Sequence, residues 1–139
     1  MRIVVTGSRS INDYALFTEV MKSSGYHVTA LAHGDCELGV DQLAELWAID
    51  HGITPVHFPI TSEEWARYGG YAGPRRNGIM LKTFRPEAVV GLWDGVSTGT
   101  KNCVEQARVM LTPVYLRRTS VGFGVSSNLD VFKERKVGL

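Results

Sequence analysis

Along this chain, short apolar runs alternate with stretches in which apolar residues recur at helical spacing. Residues 2–6 form the first apolar run and residues 87–93 form the fourth. Between the first two runs, Leu16, Phe17 and Val20 follow a period of about 3.6 residues. This alternation is typical of a parallel sheet covered by helices. We therefore predict an α/β fold with a mainly parallel central sheet of about five strands.

The size and composition fit one ordinary globular domain. The chain has 139 residues, of which 44% are hydrophobic and 21% are charged. Its formal net charge of +1 argues against a strongly basic nucleic-acid-binding protein. No apolar run reaches the roughly 20 residues that cross a bilayer, and no leader pattern precedes the first strand. We expect a cytoplasmic protein without a membrane partner.

The chain is expected to contain one principal domain and a short extension. Residues 1–118 carry the strand and helix pattern, whereas the Gly- and Ser-rich residues 119–139 are expected to pack on that domain or to be partly mobile. Residues 59–73 interrupt the alternation and are expected to hold a helical turn around residues 63–67. We predict that the following helices span residues 74–84 and 101–111.

Two loops are expected to meet where the strand order reverses, which is the usual ligand position in such sheets. Each loop combines glycine, small hydroxyl residues and a helix N-terminus, a combination that favours anions. An arginine in the first loop would add a planar group suited to phosphate, and an aspartate opens the second. The residues predicted to bind a ligand here are Gly7, Ser8, Arg9, Ser10, Asp94, Gly95, Ser97, Thr98, Gly99 and Thr100.

Two further segments carry candidate ligand residues. Arg75, Arg76 and Asn77 lie at a predicted helix start, where cations oppose the helix dipole unless an anion is bound. The aromatic residues Trp65, Tyr68 and Tyr71 in the preceding loop either stack on a base or pin the loop to the core. His33, at a strand end, is the histidine best placed for a site, and a role in the turn is an equal alternative.

Several kinds of site are not indicated. The chain has no G-x-x-x-x-G-K-[ST] loop, no G-x-G-x-x-G fingerprint after its first strand and no G-x-S-x-G elbow. The four histidines and two cysteines show no metal-ligand spacing. We therefore predict neither a metal nor a bound cofactor.

An ordered series of motifs resembles a known group. The series is Gly7-Ser8-Arg9, His33-Gly34 with Gly39-Val40-Asp41, Arg76-Asn77 with Met80, and Trp93-Asp94-Gly95 with Ser97-Thr98-Gly99-Thr100. It resembles the SLOG superfamily, and within it the small stand-alone YpsA-like proteins of bacteria and phages. The resemblance covers residues 1–117. It implies a Rossmann-like three-layer sandwich, nucleotides or nucleotide-derived ligands, and contacts from His33 and Gly34.

One branch of this superfamily, the "lonely guy" phosphoribohydrolases, cleaves N-glycosidic bonds and forms dimers. Its motif carries a catalytic glutamate three residues after the threonine that corresponds to Thr100. That position is Cys103 in this chain. Glu105 lies about half a helical turn away. Without that glutamate, the weak candidates for a catalytic carboxylate are Asp94 and Glu37.

Three functions follow as hypotheses. The first is binding or sensing of a nucleotide or nucleotide-derived small molecule, with phosphate held by the Gly/Ser/Thr loops and the base covered by residues 65–71. The second is hydrolysis of a nucleotide N-glycosidic bond. The third is a protein-interaction module. A homodimer is a further expectation, because the related hydrolases form dimers.

Overall fold

The computed structural model describes residues 1–119 and 131–133, with side chains described for residues 1–119. In chain order, the elements are β1 (Arg2–Gly7), α1 (Tyr14–Ser24), β2 (Ala30–His33), α2 (Val40–Asp50), β3 (Val56–His57), α3 (Ser62–Tyr68), a 3₁₀ turn (Gly69–Tyr71), α4 (Ala72–Phe84), β4 (Ala88–Trp93), α5 (Thr98–Val109), β5 (Val114–Arg118) and β6 (Val131–Lys133).

The strands form one sheet in the order β3-β2-β1-β4-β5-β6. The first five are mutually parallel, and β6 pairs antiparallel with β5. β1 and β4 are central neighbours, with Ile3 opposite Ala88 and Gly7 opposite Leu92. This arrangement confirms the predicted α/β, Rossmann-like class and puts the reversal of strand order between β1 and β4.

Two hydrophobic layers lie on opposite faces of the sheet, because successive side chains of a strand point to opposite sides. Ile3 and Val5 face α1 and α2, where Phe17 and Trp47 are buried. Val4 lies on the other face, in the cluster that contains side chains of α4 and α5. Helices therefore cover both faces, as the three-layer prediction requires.

Several predicted boundaries differ from the structure. Residues 59–73 hold α3, the 3₁₀ turn and the start of α4, so the predicted helical turn is present and longer than expected. The 3₁₀ turn leads directly into α4, which begins at Ala72 instead of residue 74. α5 begins at Thr98 instead of residue 101, for a reason that concerns the site.

The predicted division after residue 118 falls mainly on residues that the structure does not describe. Of the proposed extension, only Thr119 and the backbone of β6 are described. In the described part of the chain, no helix combines the length and apolar character needed to span a bilayer.

Candidate ligand-binding cleft

A cleft of about 720 Å³ opens beyond the carboxyl ends of the central strands. It lies at the reversal of strand order, between the loops that follow β1 and β4. Most of the predicted ligand residues are among the residues that form its walls. The cleft is lined by Val5, Thr6, Gly7, Arg9, Ser10, Gly34, Asp35, Cys36, Glu37, Leu38, Asp41, Pro59, Ile60, Trp65, Gly70, Gly73, Pro74, Arg76, Asn77, Met80, Asp94, Ser97, Thr98, Gly99 and Thr100.

The floor of the cleft is formed by closely packed backbone. A Cβ at Gly7 would overlap the side chain of Val40 in the first turn of α2. Gly39, just before α2, has a φ of +81°, and a Cβ there would overlap the backbone of residues 8 and 9. Glycine is required at both points because the first loop and the start of α2 are in direct contact.

Ser8 lies below this surface and is completely buried. Its Oγ accepts a hydrogen bond from the N–H of Asp94 at 3.0 Å, and its own N–H donates to the carbonyl of Leu92 at 3.1 Å. Ser8 therefore joins the loops after β1 and β4 to each other and does not line the cleft. Gly95 is likewise absent from the lining, and a Cβ there would overlap the guanidinium of Arg118.

Asp94 organises the loop between β4 and α5. Its Oδ1 accepts hydrogen bonds from the N–H groups of Val96 at 2.8 Å and Ser97 at 2.7 Å, and Oδ2 accepts from the hydroxyl of Ser10 at 2.8 Å. Burial alone would raise the pKa of Asp94, but these hydrogen bonds outweigh it and hold the pKa below its usual value. Asp94 is thus an ionised loop anchor, a state unsuited to a general acid.

The N-terminus of α5 opens into the cleft. No side chain caps this helix, and the first backbone hydrogen bond into it runs from Lys101 to the carbonyl of Ser97. In residues 1–119 no acceptor faces the N–H groups of Thr98, Gly99 and Thr100. Three backbone donors at the positive end of a helix dipole therefore border the cleft. This is the arrangement that binds phosphate and carboxylate groups.

The N-terminus of α2, by contrast, is closed by the protein itself. The N–H of Val40 donates to the carbonyl of Ser8 at 3.3 Å, and the N–H of Gly39 donates to the side-chain oxygen of Asn12 at 3.1 Å. Asp41 adds a negative charge in the first turn. An anion is therefore expected at α5 and not at α2.

Arg76 forms the side of the cleft opposite the N-terminus of α5. Its Nη1 donates to the carbonyl of Gly34 and, at 3.0 Å, to the carbonyl of Phe58, while Nε donates to Oδ1 of Asn77 at 3.0 Å. Among the residues whose side chains are described, Nη2 has no partner. A Cβ at Gly34 would overlap this guanidinium, so Gly34 provides the space that Arg76 occupies.

The buried side chain of Asn77 connects Arg76 with α5. Its amide nitrogen donates to the carbonyl of Gly99 at 3.3 Å and to Oδ1 of Asn102 at 3.2 Å. The predicted ligand residues Arg76, Asn77 and Gly99 thus form one continuous hydrogen-bonded wall.

Arg75, although adjacent to Arg76, lies outside the cleft. It forms an ion pair with Glu64 at 2.9 Å, and its guanidinium lies 4.4 Å from the centre of the Tyr68 ring. Of the three aromatic residues predicted to cover a base, Trp65 lines the cleft with 46% of its surface exposed. Tyr68 and Tyr71 do not line it.

Acidic residues form the wall that follows β2. Asp35 and Glu37 are exposed there, and Asp41 lines the cleft although only 5% of its surface is exposed. One oxygen of Asp41 accepts a hydrogen bond from the N–H of Cys36 at 3.0 Å. The sequence alone explains Asp41 by the helix dipole and does not assign it to the cleft. Its position could have indicated the cleft, because it lies in the first helical turn after a loop that follows a strand. Arg9 is exposed at the rim.

His33 is completely buried and lies behind the cleft wall. Its Nε2 is 2.7 Å from Oε1 of Glu45, which also lies 2.6 Å from Nε2 of His57. These are zinc-type ligands. However, Nδ1 of His33 accepts a hydrogen bond from the N–H of Asp35 at 2.9 Å, so the ring proton is on Nε2. A metal on Nε2 would require the opposite tautomer, so the residues do not fit a metal as they stand.

The position that corresponds to the hydrolase glutamate is occupied by a buried thiol. Cys103, a residue of α5, is completely buried in the hydrophobic layer that α4 and α5 form against the sheet. Burial raises the pKa of this thiol to about 11, so it is neutral at physiological pH. Glu105 is exposed on α5 at 3.9 Å from Lys101 and does not line the cleft. Neither residue supplies a carboxylate to the site.

Comparison with known proteins agrees with this fold. Residues 1–68 match the model of the YspA, cpYpsA-related SLOG family (YAcAr). No functionally curated protein sequence matches the chain significantly. Among solved structures, the chain is similar to the UDP-GlcNAc 2-epimerase from Neisseria meningitidis, solved bound to UDP-GlcNAc, with 15% sequence identity and a TM-score of 0.51. The match covers 88% of this chain but only 33% of that enzyme, so it shows the fold alone.

Proposed function

We propose that the protein binds a phosphorylated nucleotide or nucleotide-derived ligand in the cleft, a role in keeping with the match of residues 1–68 to a SLOG family model. The observation that carries this proposal is the uncapped N-terminus of α5, whose free N–H groups face the same cleft as Arg76. A binding or sensing role requires these donors and does not require a catalytic carboxylate.

The phosphate would lie between α5 and Arg76. The N–H groups of residues 98–100 would donate to its oxygens, and the hydroxyls of Ser97, Thr98 and Thr100 would add further donors. Nη2 of Arg76 would supply a charged donor from the other side, and Arg9 at the rim would add long-range attraction. The backbone N–H groups of residues 98–100 and the guanidinium of Arg76 together provide enough donors for a ligand with one or two phosphate groups.

The remainder of the ligand would extend along the wall after β2 and below α3. Carboxylates accept hydrogen bonds from sugar hydroxyls, and Asp35, Glu37 and Asp41 line that wall. Trp65 offers an exposed indole face on which a base can stack. The fold is shared with an enzyme solved bound to a nucleotide sugar; the orientation of the ligand and its contacts are our proposal.

A ligand panel tests the proposal. Purified protein is heated in the presence of AMP, ADP, ADP-ribose, NAD, UDP-GlcNAc and a cyclic nucleotide, and each mixture is then analysed by chromatography. We expect a raised Tm with at least one of them, and an intact ligand afterwards. Gly99→Val, which fills the cleft beside the open helix end, should abolish the shift.

Other outcomes assign a different function. Released base would identify the protein as an N-glycosidase that uses a group other than Cys103. No shift with any compound would contradict nucleotide binding and would favour the protein-interaction hypothesis. Light scattering of the same samples measures the oligomeric state and tests the proposed homodimer.

A further inference from the structure

One peptide unit in the cleft wall is held at both of its polar ends. The carbonyl of Gly34 accepts a hydrogen bond from Nη1 of Arg76, and the N–H of Asp35 donates to Nδ1 of His33 at 2.9 Å. This carbonyl and this N–H belong to the same peptide group. His33 therefore holds this peptide on one side, and on the other side the peptide is one of three groups that hold Arg76, with the carbonyl of Phe58 and the side chain of Asn77.

The ring of His33 is itself fixed from behind. Because Nδ1 accepts from a backbone N–H, the ring proton lies on Nε2, which donates to Oε1 of Glu45 at 2.7 Å. The same oxygen accepts from Nε2 of His57 at 2.6 Å, and His57 is partly exposed on the edge strand β3. His33 is completely buried, so its orientation is set by these partners and by packing.

The backbone at this point is held in a conformation that is unfavourable for a residue other than glycine. Asp35 has a φ of +59°, in the left-handed region that non-glycine residues seldom occupy. Rotation of the preceding peptide would relieve Asp35 and would break both hydrogen bonds. The carbonyl of Gly34 would then no longer face the guanidinium.

We propose that His33 is a positioning residue for anion binding: it fixes the Gly34–Asp35 peptide and thereby holds Arg76 with Nη2 directed to the phosphate site. The effect on affinity rests on the proposed nucleotide-binding function. The effect on the peptide and on Arg76 does not, because it concerns contacts within the protein.

Two substitutions separate the two hydrogen bonds of the ring. The side-chain oxygen of Asn reaches the position of Nδ1, so His33→Asn retains an acceptor for Asp35 and loses the contact with Glu45. The longer Gln side chain reaches the position of Nε2, so His33→Gln retains the contact with Glu45 and loses the acceptor. Both variants remove the same buried ring, which makes each the control for the other.

Amide hydrogen exchange and ¹H–¹⁵N NMR provide the readout without any ligand. We expect the Asp35 amide to be protected in the wild type and in His33→Asn. In His33→Gln its exchange should be faster by roughly two- to tenfold, the factor that one net hydrogen bond contributes, and the Arg76 guanidinium signals should shift. Equal protection of Asp35 in both variants, or an unchanged Arg76, would overturn the inference.

Titration with ADP adds the functional arm. If the wild type binds ADP, His33→Gln should weaken binding by a similar factor while His33→Asn remains close to the wild type. Equal affinities of the two variants would overturn the inference and leave nucleotide binding intact. A wild type that binds nothing in the panel would instead contradict the proposed function, and the exchange experiment would still decide the role of His33. Should His33→Gln fail to fold, His33→Ala also lacks the acceptor for Asp35 and takes its place in the comparison with His33→Asn.

Discussion

The adjacent residues Arg75 and Arg76 allow the clearest test of the cleft, because they share one chemistry and occupy two environments. Arg76 lines the cleft, whereas Arg75 pairs with Glu64 and lies over the Tyr68 ring outside it. Arg76→Ala removes a charged donor from the proposed phosphate site. We expect the affinity for the best nucleotide of the panel, with ADP as the starting probe, to fall, whereas Arg75→Ala should leave it unchanged.

The magnitude follows from the hydrogen bonds involved. A hydrogen bond between charged groups contributes about 1.5–3 kcal/mol, which corresponds to a roughly 10- to 150-fold increase in Kd. Arg76→Ala also loses the bonds to the carbonyls of Gly34 and Phe58, so the variant should unfold more easily by about 1 kcal/mol for each bond lost. Isothermal titration calorimetry measures the Kd of each variant. Urea denaturation measures its free energy of unfolding, so a loss of affinity can be distinguished from a loss of stability.

The result that would refute this reasoning is an Arg76→Ala protein with the wild-type Kd. Equal weakening by both variants would also refute it, because it would show that only the overall charge near the cleft matters. Titration at two salt concentrations distinguishes that second case, since long-range attraction is screened by salt.

Three further outcomes are expected. Gly99→Ala and Gly99→Val should keep the wild-type circular dichroism, because a Cβ there meets no other atom, while affinity falls from the wild type through Ala to Val in calorimetry; retained binding in the Val variant would move the phosphate away from α5. Gly34→Ala should weaken nucleotide binding as much as Arg76→Ala does, because its Cβ and the Arg76 guanidinium cannot occupy the same space; unchanged affinity would mean that Arg76 binds from another position. Asp94 has a lowered pKa, so its ionised form stabilises the fold at pH values above the ordinary aspartate pKa, and this contribution is lost as the pH falls through the lowered pKa. The unfolding free energies of the wild type and Asp94→Asn, measured in urea across the acid range, should therefore converge at low pH. A constant difference between them would contradict the role of the carboxylate.

The order of elements and the position of the cleft could be predicted from the sequence because both depend on local pattern. Alternating apolar runs identify the strands, and the reversal between β1 and β4 follows from parallel connections. The start of α5 could not be predicted in this way. Asp94 accepts hydrogen bonds from the N–H groups of residues 96 and 97, and the helix begins directly after them at Thr98. Residues 98–100, which were expected in a loop, therefore form the first turn of the helix.

Individual side chains were harder to assign, since small rotations decide what they contact. Consecutive residues of a helix point about 100° apart, which directs Arg76 into the cleft and Arg75 away from it. His33 faces α2 because β2 alternates its side chains between the two layers. Of its two expected places, in the site or in the turn, the residue takes the one in the turn, where it bonds to the N–H of Asp35. Asp41, which the sequence explains by the helix dipole, lines the cleft instead, because the first turn of α2 borders it.

The helix α3 buries no residue, and neither does the 3₁₀ turn that follows it. The floor of the cleft, by contrast, consists of glycine contacts and strand ends that the sheet needs in order to form. The residues around Trp65 can therefore be replaced at little cost to folding, whereas the side of the cleft proposed to hold phosphate is constrained by the sheet. If the proposed anion site is correct, proteins with this fold can change the group that they recognise near Trp65 and still keep the same anion site.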